Sequence, residues 1–328
     1  MTMPEPATFR SLDGSAALAA ASRHLLVADI GGSHIRLARQ ASDGAFELLI
    51  DVPTPANDWG QFCAAIGEAT SLFATGSSAL SISIAGVVDP GTGEVAAANI
   101  PCINGRSLAR DLTALLGMPV VVTNDADCAA LAEARIGAGI GHGVVFCAIL
   151  GTGVGGGLIV NGRLVRGAGG LTGEWGHGPI VNEAVVDAGD GRSLRVPRFK
   201  CGCGMTGCLD TVGGARGLER LHEFLHGSMQ SSLQILDAWI AGEPSAAATV
   251  RAWIELVSGP LALVVNVTGA SVVPVCGGLS RCTPLVTALD LAVRQQILRR
   301  TEAALLIPSP LNDQAGLIGA AFAFADLS

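Results

Sequence analysis

The pattern strand, glycine turn, strand occurs twice in this chain, and no other feature limits the available folds as much. "HLLVADIGGSHIRLARQ" (24–40) runs from an apolar strand through Gly31-Gly32 into a second, alternating strand. About 120 residues later, "GVVFCAIL" (143–150) passes through "GTGVGGG" (151–157) into "LIVNGRLVRG" (158–167). Asn161-Gly162 in that second strand marks a hairpin turn. Two copies of one unit in 328 residues imply two related halves rather than one continuous sheet. The remaining segments alternate. "ALSISIAGVV" (79–88), "MPVVVTND" (118–125) and "VVPVCGGLS" (272–280) carry strands. "RSLARDLTALLG" (106–117), "DADCAALAEARIGAG" (125–139), "ARGLERLHEFLHG" (215–227), "EPSAAATVRAWIELVSGPLALVVNVTG" (243–269) and a segment near 315–325 read as helices. The class is α/β.

"GTGVGG" (151–156) satisfies G-x-G-x-x-G, but that dinucleotide fingerprint needs a helix after its glycines. A strand and hairpin follow here, so the fingerprint is rejected. Either turn alone could be an ordinary hairpin turn. Two of them at matching places in a repeated unit fit amide cradles for phosphate oxygens better. Asp29 precedes the first turn, Asp29-Ile30-Gly31-Gly32-Ser33, and could orient a magnesium ion. Asp125 stands where a strand gives way to a helix, the ligand-facing end of an α/β sheet. Two readings of it stay open: a helix N-cap, or a general base toward a hydroxyl that attacks a phosphoryl group.

Net charge is −8 with a pI near 5.2, which argues against nucleic acid or an acidic membrane as partner. Mean hydropathy is +0.49, yet glycine clusters break the most apolar stretches and no run of about 20 apolar residues spans a bilayer. The N-terminus carries acids and an early proline, unlike an export signal. A cytoplasmic chain with reduced thiols is expected from nine cysteines in that setting.

"FKCGCGMTGCLD" (199–210) places Cys201, Cys203 and Cys208 at metal-ligand spacing. His177 in "GEWGH" (173–177) is the nearest histidine and completes a Cys₃His set, a closed structural zinc composition. His222 and His226 share a helix face four residues apart and read as solvated.

Taken in order, "DIGGS" (29–33), "NDADCAALAE" (124–133), "LGTGVGGGLIVNG" (150–162), "TGEWGHGPI" (172–180), "CGCGMTGCLD" (201–210), "CGGLS" (276–280) and "DQAGLIGAA" (313–321) resemble the ROK family of sugar kinases and regulators. The resemblance runs from about residue 25 to 325. It is nearest to the family's bacterial N-acetyl-D-glucosamine kinases through "VPTP" (52–55), "AANIP" (97–101), "CGCG" and the long stretch before the cysteines.

The resemblance implies an actin-like, hexokinase-type ATPase fold with two domains and a cleft between them. Residues 1–24 would be a flexible extension, 25–123 plus about 313–328 a smaller N-terminal domain, and 124–312 a larger domain with the zinc site. About 25 residues ahead of the first strand are too few for the regulators' helix-turn-helix domain. Asp125 would be the catalytic base. Gly86, Asn99, Asn124, Asp125 itself, Glu174, His177 and Asp210 would bind sugar. Asp29, Gly31, Gly32, Ser33, Gly151, Thr152 and Gly153 would serve the phosphates of Mg-ATP, with Gly277 and Gly278 on the adenosine side. Structural zinc would be held by His177, Cys201, Cys203 and Cys208, fixing the sugar-binding loop.

The implied activity is transfer of the γ-phosphoryl group of ATP to the 6-hydroxyl of N-acetyl-D-glucosamine, by a homodimer. N-acetylmannosamine, glucose and fructose are the alternative substrates, and a non-catalytic sugar sensor the alternative class. Three positions depart from the family pattern. Asp210 stands for a longer glutamate, Cys276 for the first glycine of a triplet, and "VNVTGAS" (265–271) lacks an Asp-Pro.

Overall fold

The computed structural model describes residues 25–40, 46–73, 78–178, 186–187 and 193–326. The expected extension, 1–24, lies outside them. The chain folds as two units. The first runs to Ile136 and takes back 164–172 and the segment from Asp313 on; the second holds 137–163 and 173–312.

In the first unit, β1 (Leu25–Ile30) and β2 (His34–Gln40) form the expected antiparallel hairpin, and β3 (Phe46–Pro53) extends it. On the other side β4 (Ala79–Ile84) and β5 (Val120–Asn124) run parallel to β1, giving the order β3-β2-β1-β4-β5. β4 is buried along its whole length, as a central parallel strand with both faces covered must be. Helices α1 (Trp59–Ser71) and α2 (Leu108–Leu116) close one face over Phe62, Ile66, Leu108 and Leu112. Asp58 caps α1 through the Gln61 amide at 2.9 Å.

The domain boundary differs from the one expected at residue 124. Helix α3 (Asp125–Ile136) belongs to the first unit because the C-terminal helix Ala315–Ala325 packs against it. Gly319 of that helix lies so close to Cys128 that any Cβ there would overlap the Cys128 backbone. Arg135 lies over the Phe322 ring at 5.4 Å and pairs with Asp326 at 2.8 Å.

The second unit repeats the order of strands. β6 (Val144–Leu150) and β7 (Val154–Val160) are the second hairpin, and β8 (Arg163–Leu164) follows the turn in which Asn161 and Gly162 both take positive φ. β9 (Val273–Cys276) and β10 (Leu306–Pro308) lie parallel beyond β6, so the order is β8-β7-β6-β9-β10. Helices α4 (Asp210–Gly213), α5 (Ala215–His226), α6 (Ser232–Ile240), α7 (Pro244–Thr268) and α8 (Thr283–Gln296) complete it.

By length and composition α7 could cross a membrane. Its Trp253, Leu256, Val257 and Leu261 instead form the centre of this unit's core, with the Trp253 indole donating to the Gly213 carbonyl at 3.0 Å. It is a core helix.

Candidate active site and metal centre

Strand register gives Asp29 its two cross-strand neighbours, and Gly316 of the C-terminal helix lies close against its carboxylate. Asp29 pairs with Arg36 across the β1–β2 hairpin and with Ser83 across the parallel β1–β4 ladder. Ser83 Oγ donates to its carboxylate at 2.8 Å, and the Arg36 guanidinium lies 3.4 Å away. Burial pushes the Asp29 carboxyl above the usual range, with Ser83 and Arg36 pulling the other way. The sequence reading missed both partners, although Arg36 follows from counting back across a four-residue turn at 31–34.

The turn itself is pinned by Thr54. Its hydroxyl donates to the Gly31 carbonyl at 2.7 Å and its amide to that of Ser33 at 2.9 Å. The two turn glycines are glycines for different reasons. A Cβ on Gly32 would stand 2.7 Å from the Cβ of Asn99, whereas on Gly31 it would meet nothing closer than 3.9 Å. Gly31 therefore keeps an open face, and Gly32 brings Asn99 onto the turn.

At the end of β5 the two readings of Asp125 can be compared. The Asn124 side chain does the capping: its Oδ1 accepts from the amides of Ala126 at 2.9 Å and Asp127 at 3.1 Å. Its Nδ2 donates to the Gly86 carbonyl at 2.9 Å and to Asp125 Oδ1 at 3.2 Å. Gly86, Asn124 and Asp125 thus form one cluster. Asp125 also accepts from Ala126 N–H at 2.9 Å, which holds its rotamer. A cavity lined by Val88, Thr123, Asn124, Asp127 and Arg166 opens beside this cluster, within the same unit.

In the second unit the 151–154 turn is held from below by the start of α5. Ala215 N–H donates to the Gly151 carbonyl at 2.8 Å, and Gly214 packs directly on Gly153. Gly277, at φ +89°, leaves so little room that a Cβ would sit 2.6 Å from the Gly151 nitrogen. Around Gly278 the space is open. Asp210 faces the protein: its Oδ1 accepts from Val154 N–H at 2.8 Å. Gly153 makes room for that oxygen, since a Cβ there would displace the Asp210 carboxylate.

The 173–177 loop lies on the same turn. Trp175 Nε1 donates to the Gly155 carbonyl at 2.6 Å. His177 points Nδ1 at Cys201 Sγ, 3.7 Å away, and Nε2 at the Glu174 carboxylate, also 3.7 Å away. Burial raises the Glu174 carboxyl above the ordinary range; His177 opposes that shift and Asp210 adds to it.

Cys203 and Cys208 are 3.6 Å apart, and the ligand atoms of His177, Cys201, Cys203 and Cys208 all lie within 4.8 Å of one another. A tetrahedral zinc with Zn–S near 2.3 Å has edges of roughly 3.8 Å, so the four donors fit it in number, type and spacing. Burial pushes the Cys201 thiol up to about 12, while the Met205 amide lowers Cys203 to about 7. A bound cation would hold all three as thiolates and keep the loop in this shape. His222 departs from expectation. It is fully buried, its Nδ1 2.8 Å from Thr249 Oγ1, because α7 covers that face of α5.

Two α/β sheets of one topology, each opening on a glycine turn, and a strand-end aspartate in the first define the class: a hexokinase-type fold. The chain belongs to the ROK family, whose family model matches residues 26–326. It is 33% identical over 299 residues to the N-acetyl-D-glucosamine kinase of Salmonella paratyphi A, covering 90% of this chain and 97% of that one. It is 31% identical over 273 residues to an N-acetylgalactosamine kinase of Shewanella sp. strain ANA-3, covering 82% and 86%. Among solved structures, a ROK family glucokinase from Streptomyces griseus in complex with glucose and AMPPNP matches with a TM-score of 0.73 at 29% identity, covering 91% of this chain and 98% of that one.

Proposed function

We propose that this protein is an ATP-dependent sugar kinase that phosphorylates the 6-hydroxyl of N-acetyl-D-glucosamine. The observation that carries the reading is at the β5–α3 junction: Asn124 caps the helix, and the Asp125 carboxylate is held in one rotamer beside it. Asp125 takes the proton of the attacking hydroxyl as that oxygen bonds to the γ-phosphorus and ADP leaves with the electron pair of the broken P–O bond. The transition state is loose, so positioning and charge neutralisation supply most of the acceleration.

From the first unit the open face of Gly31, with Gly32 and Ser33, meets phosphate oxygens, and Asp29 orients the magnesium bound to ATP. From the second, Gly151, Thr152 and Gly153 do the same, with Gly277 and Gly278 toward the adenosine. In the first unit Gly86, Asn99 and Asn124 are the candidate sugar contacts; in the second they are Glu174 and His177, on a loop that a zinc ion held by His177 and the three cysteines would fix. The amino-sugar kinases among the relatives support the N-acetylated substrate, and the one named for N-acetylgalactosamine keeps that epimer as the second reading.

The test is sugar-dependent ADP release with Mg-ATP across N-acetylglucosamine, N-acetylgalactosamine, N-acetylmannosamine, glucose and fructose. The highest kcat/KM is expected on N-acetylglucosamine, with kcat falling roughly 10²–10⁴-fold in Asp125→Asn. A higher kcat/KM on another sugar overturns the substrate. No turnover on any of them, from metal-replete protein, overturns the activity.

A further inference from the structure

Asp210 sits where sequence resemblance puts a sugar ligand, yet its hydrogen bonds run elsewhere. Oδ1 accepts from Val154 N–H at 2.8 Å, at the exit of the 151–154 turn. Oδ2 lies 3.7 Å from Cys201 Sγ, a member of the metal cluster. The Asp210 amide donates at 2.8 Å to the carbonyl of Gly176, the residue before His177. One residue therefore touches the glycine turn, a cysteine of the metal set and the loop that brings in the histidine.

The surrounding glycines are shaped to this arrangement. Gly153 makes room for the carboxylate, Gly176 lies against the Val154 carbonyl, and Gly214 lies against Gly153, each too close for a Cβ. A Cβ on Gly153 would overlap Asp210 Oδ1, so the turn and the carboxylate are packed against each other.

We infer that Asp210 is a positioning residue that links the metal loop to the phosphate-facing turn, so that the order of the 151–154 turn depends on whether the Cys₃His site is filled. The inference rests on the proposed nucleotide role of that turn only for its kinetic readout. The turn's backbone order can be measured whatever the protein phosphorylates.

The decisive experiment is amide hydrogen exchange over 150–158 in the full-length protein, zinc-loaded and after chelation, for wild type, Asp210→Ala and Asp210→Asn. Loss of a charge-assisted bond to an amide should speed exchange at Val154 by about tenfold or more in Asp210→Ala, and chelation should do the same in wild type. Asp210→Asn keeps an acceptor oxygen and should restore slow exchange. In Asp210→Ala, chelation should add little further. The same variants in turnover should separate the substrates: KM for ATP rises in Asp210→Ala and recovers in Asp210→Asn, with KM for sugar little changed.

Exchange over 150–158 that ignores both chelation and Asp210→Ala overturns the inference. So does a loss confined to sugar KM in both variants, which makes Asp210 a direct sugar ligand. Failure of the kinase reading shows separately, as absent wild-type turnover, while the exchange data still decide this one.

Discussion

Asp29 carries a stability cost whose sign follows from its surroundings. Burial raises its carboxyl pKa in the folded protein above the unfolded value of about 3.9, so the native state holds that proton more tightly. Between those two values the folded state binds more protons than the unfolded one, and stability falls as pH rises. Asp29→Asn removes that cost. Its melting temperature should exceed the wild-type value at neutral pH, the gap closing as pH drops below the unfolded pKa. Turnover should fall in the same variant. Melting curves from pH 3 to 8 check this, and a variant less stable than wild type at pH 7 would mean that the Arg36 and Ser83 partners outweigh burial.

His177 carries the residue-scale prediction for the metal. Purified protein should contain about one zinc per chain. His177→Ala should lose that zinc faster to a chelator and bind sugar more weakly, both through one ring. Elemental analysis with undiminished zinc in the variant would remove His177 from the ligand set.

At the scale of elements, the hairpins were readable in advance because their cues are local. Alternation identifies the strands, Asn161-Gly162 at positive φ fixes the turn from β7 to β8, and a strand after the glycines excludes a dinucleotide fold. The packing of α3 on the C-terminal helix was not readable. It depends on Gly319 meeting Cys128, and nothing in "GLIGAAFAF" tells which of its small residues faces a neighbour. Gly319→Ala should cost about 1–3 kcal/mol by overpacking, since backbone rather than a movable side chain stands in the way. Gly67→Ala on α1, with nothing within 4 Å of its Cβ, should gain stability by helix propensity. Chemical denaturation of the two variants compares a filled and an open site on helices of the same unit, and equal effects would show that α3 and the C-terminal helix separate freely.

At the scale of the whole chain, the first unit is assembled from three stretches, and the last closes it. Ser81 Oγ donates to the Ala320 carbonyl at 2.6 Å, and Leu317, Ile318 and Phe322 are buried in the same helix. A chain ending at residue 312 would leave β1 and β4 uncovered on that side. It should be aggregation-prone and rapidly cut by protease within 25–136, while the second unit retains its zinc. Limited proteolysis with mass analysis checks this, and a protected 25–136 fragment would show that the helix is dispensable.

The sequence by itself determined the two hairpin units, their turns, the strand-end aspartate and the close spacing of Cys201, Cys203 and Cys208. Each of these depends on residues a few positions apart, where periodicity and turn chemistry act. Tertiary structure decided which half owns α3, that His222 is buried on Thr249, and that Asp210 reaches Val154 across 56 positions of chain. Those outcomes depend on which surfaces pack together, and packing brings together atoms whose separation along the chain leaves no local pattern to read.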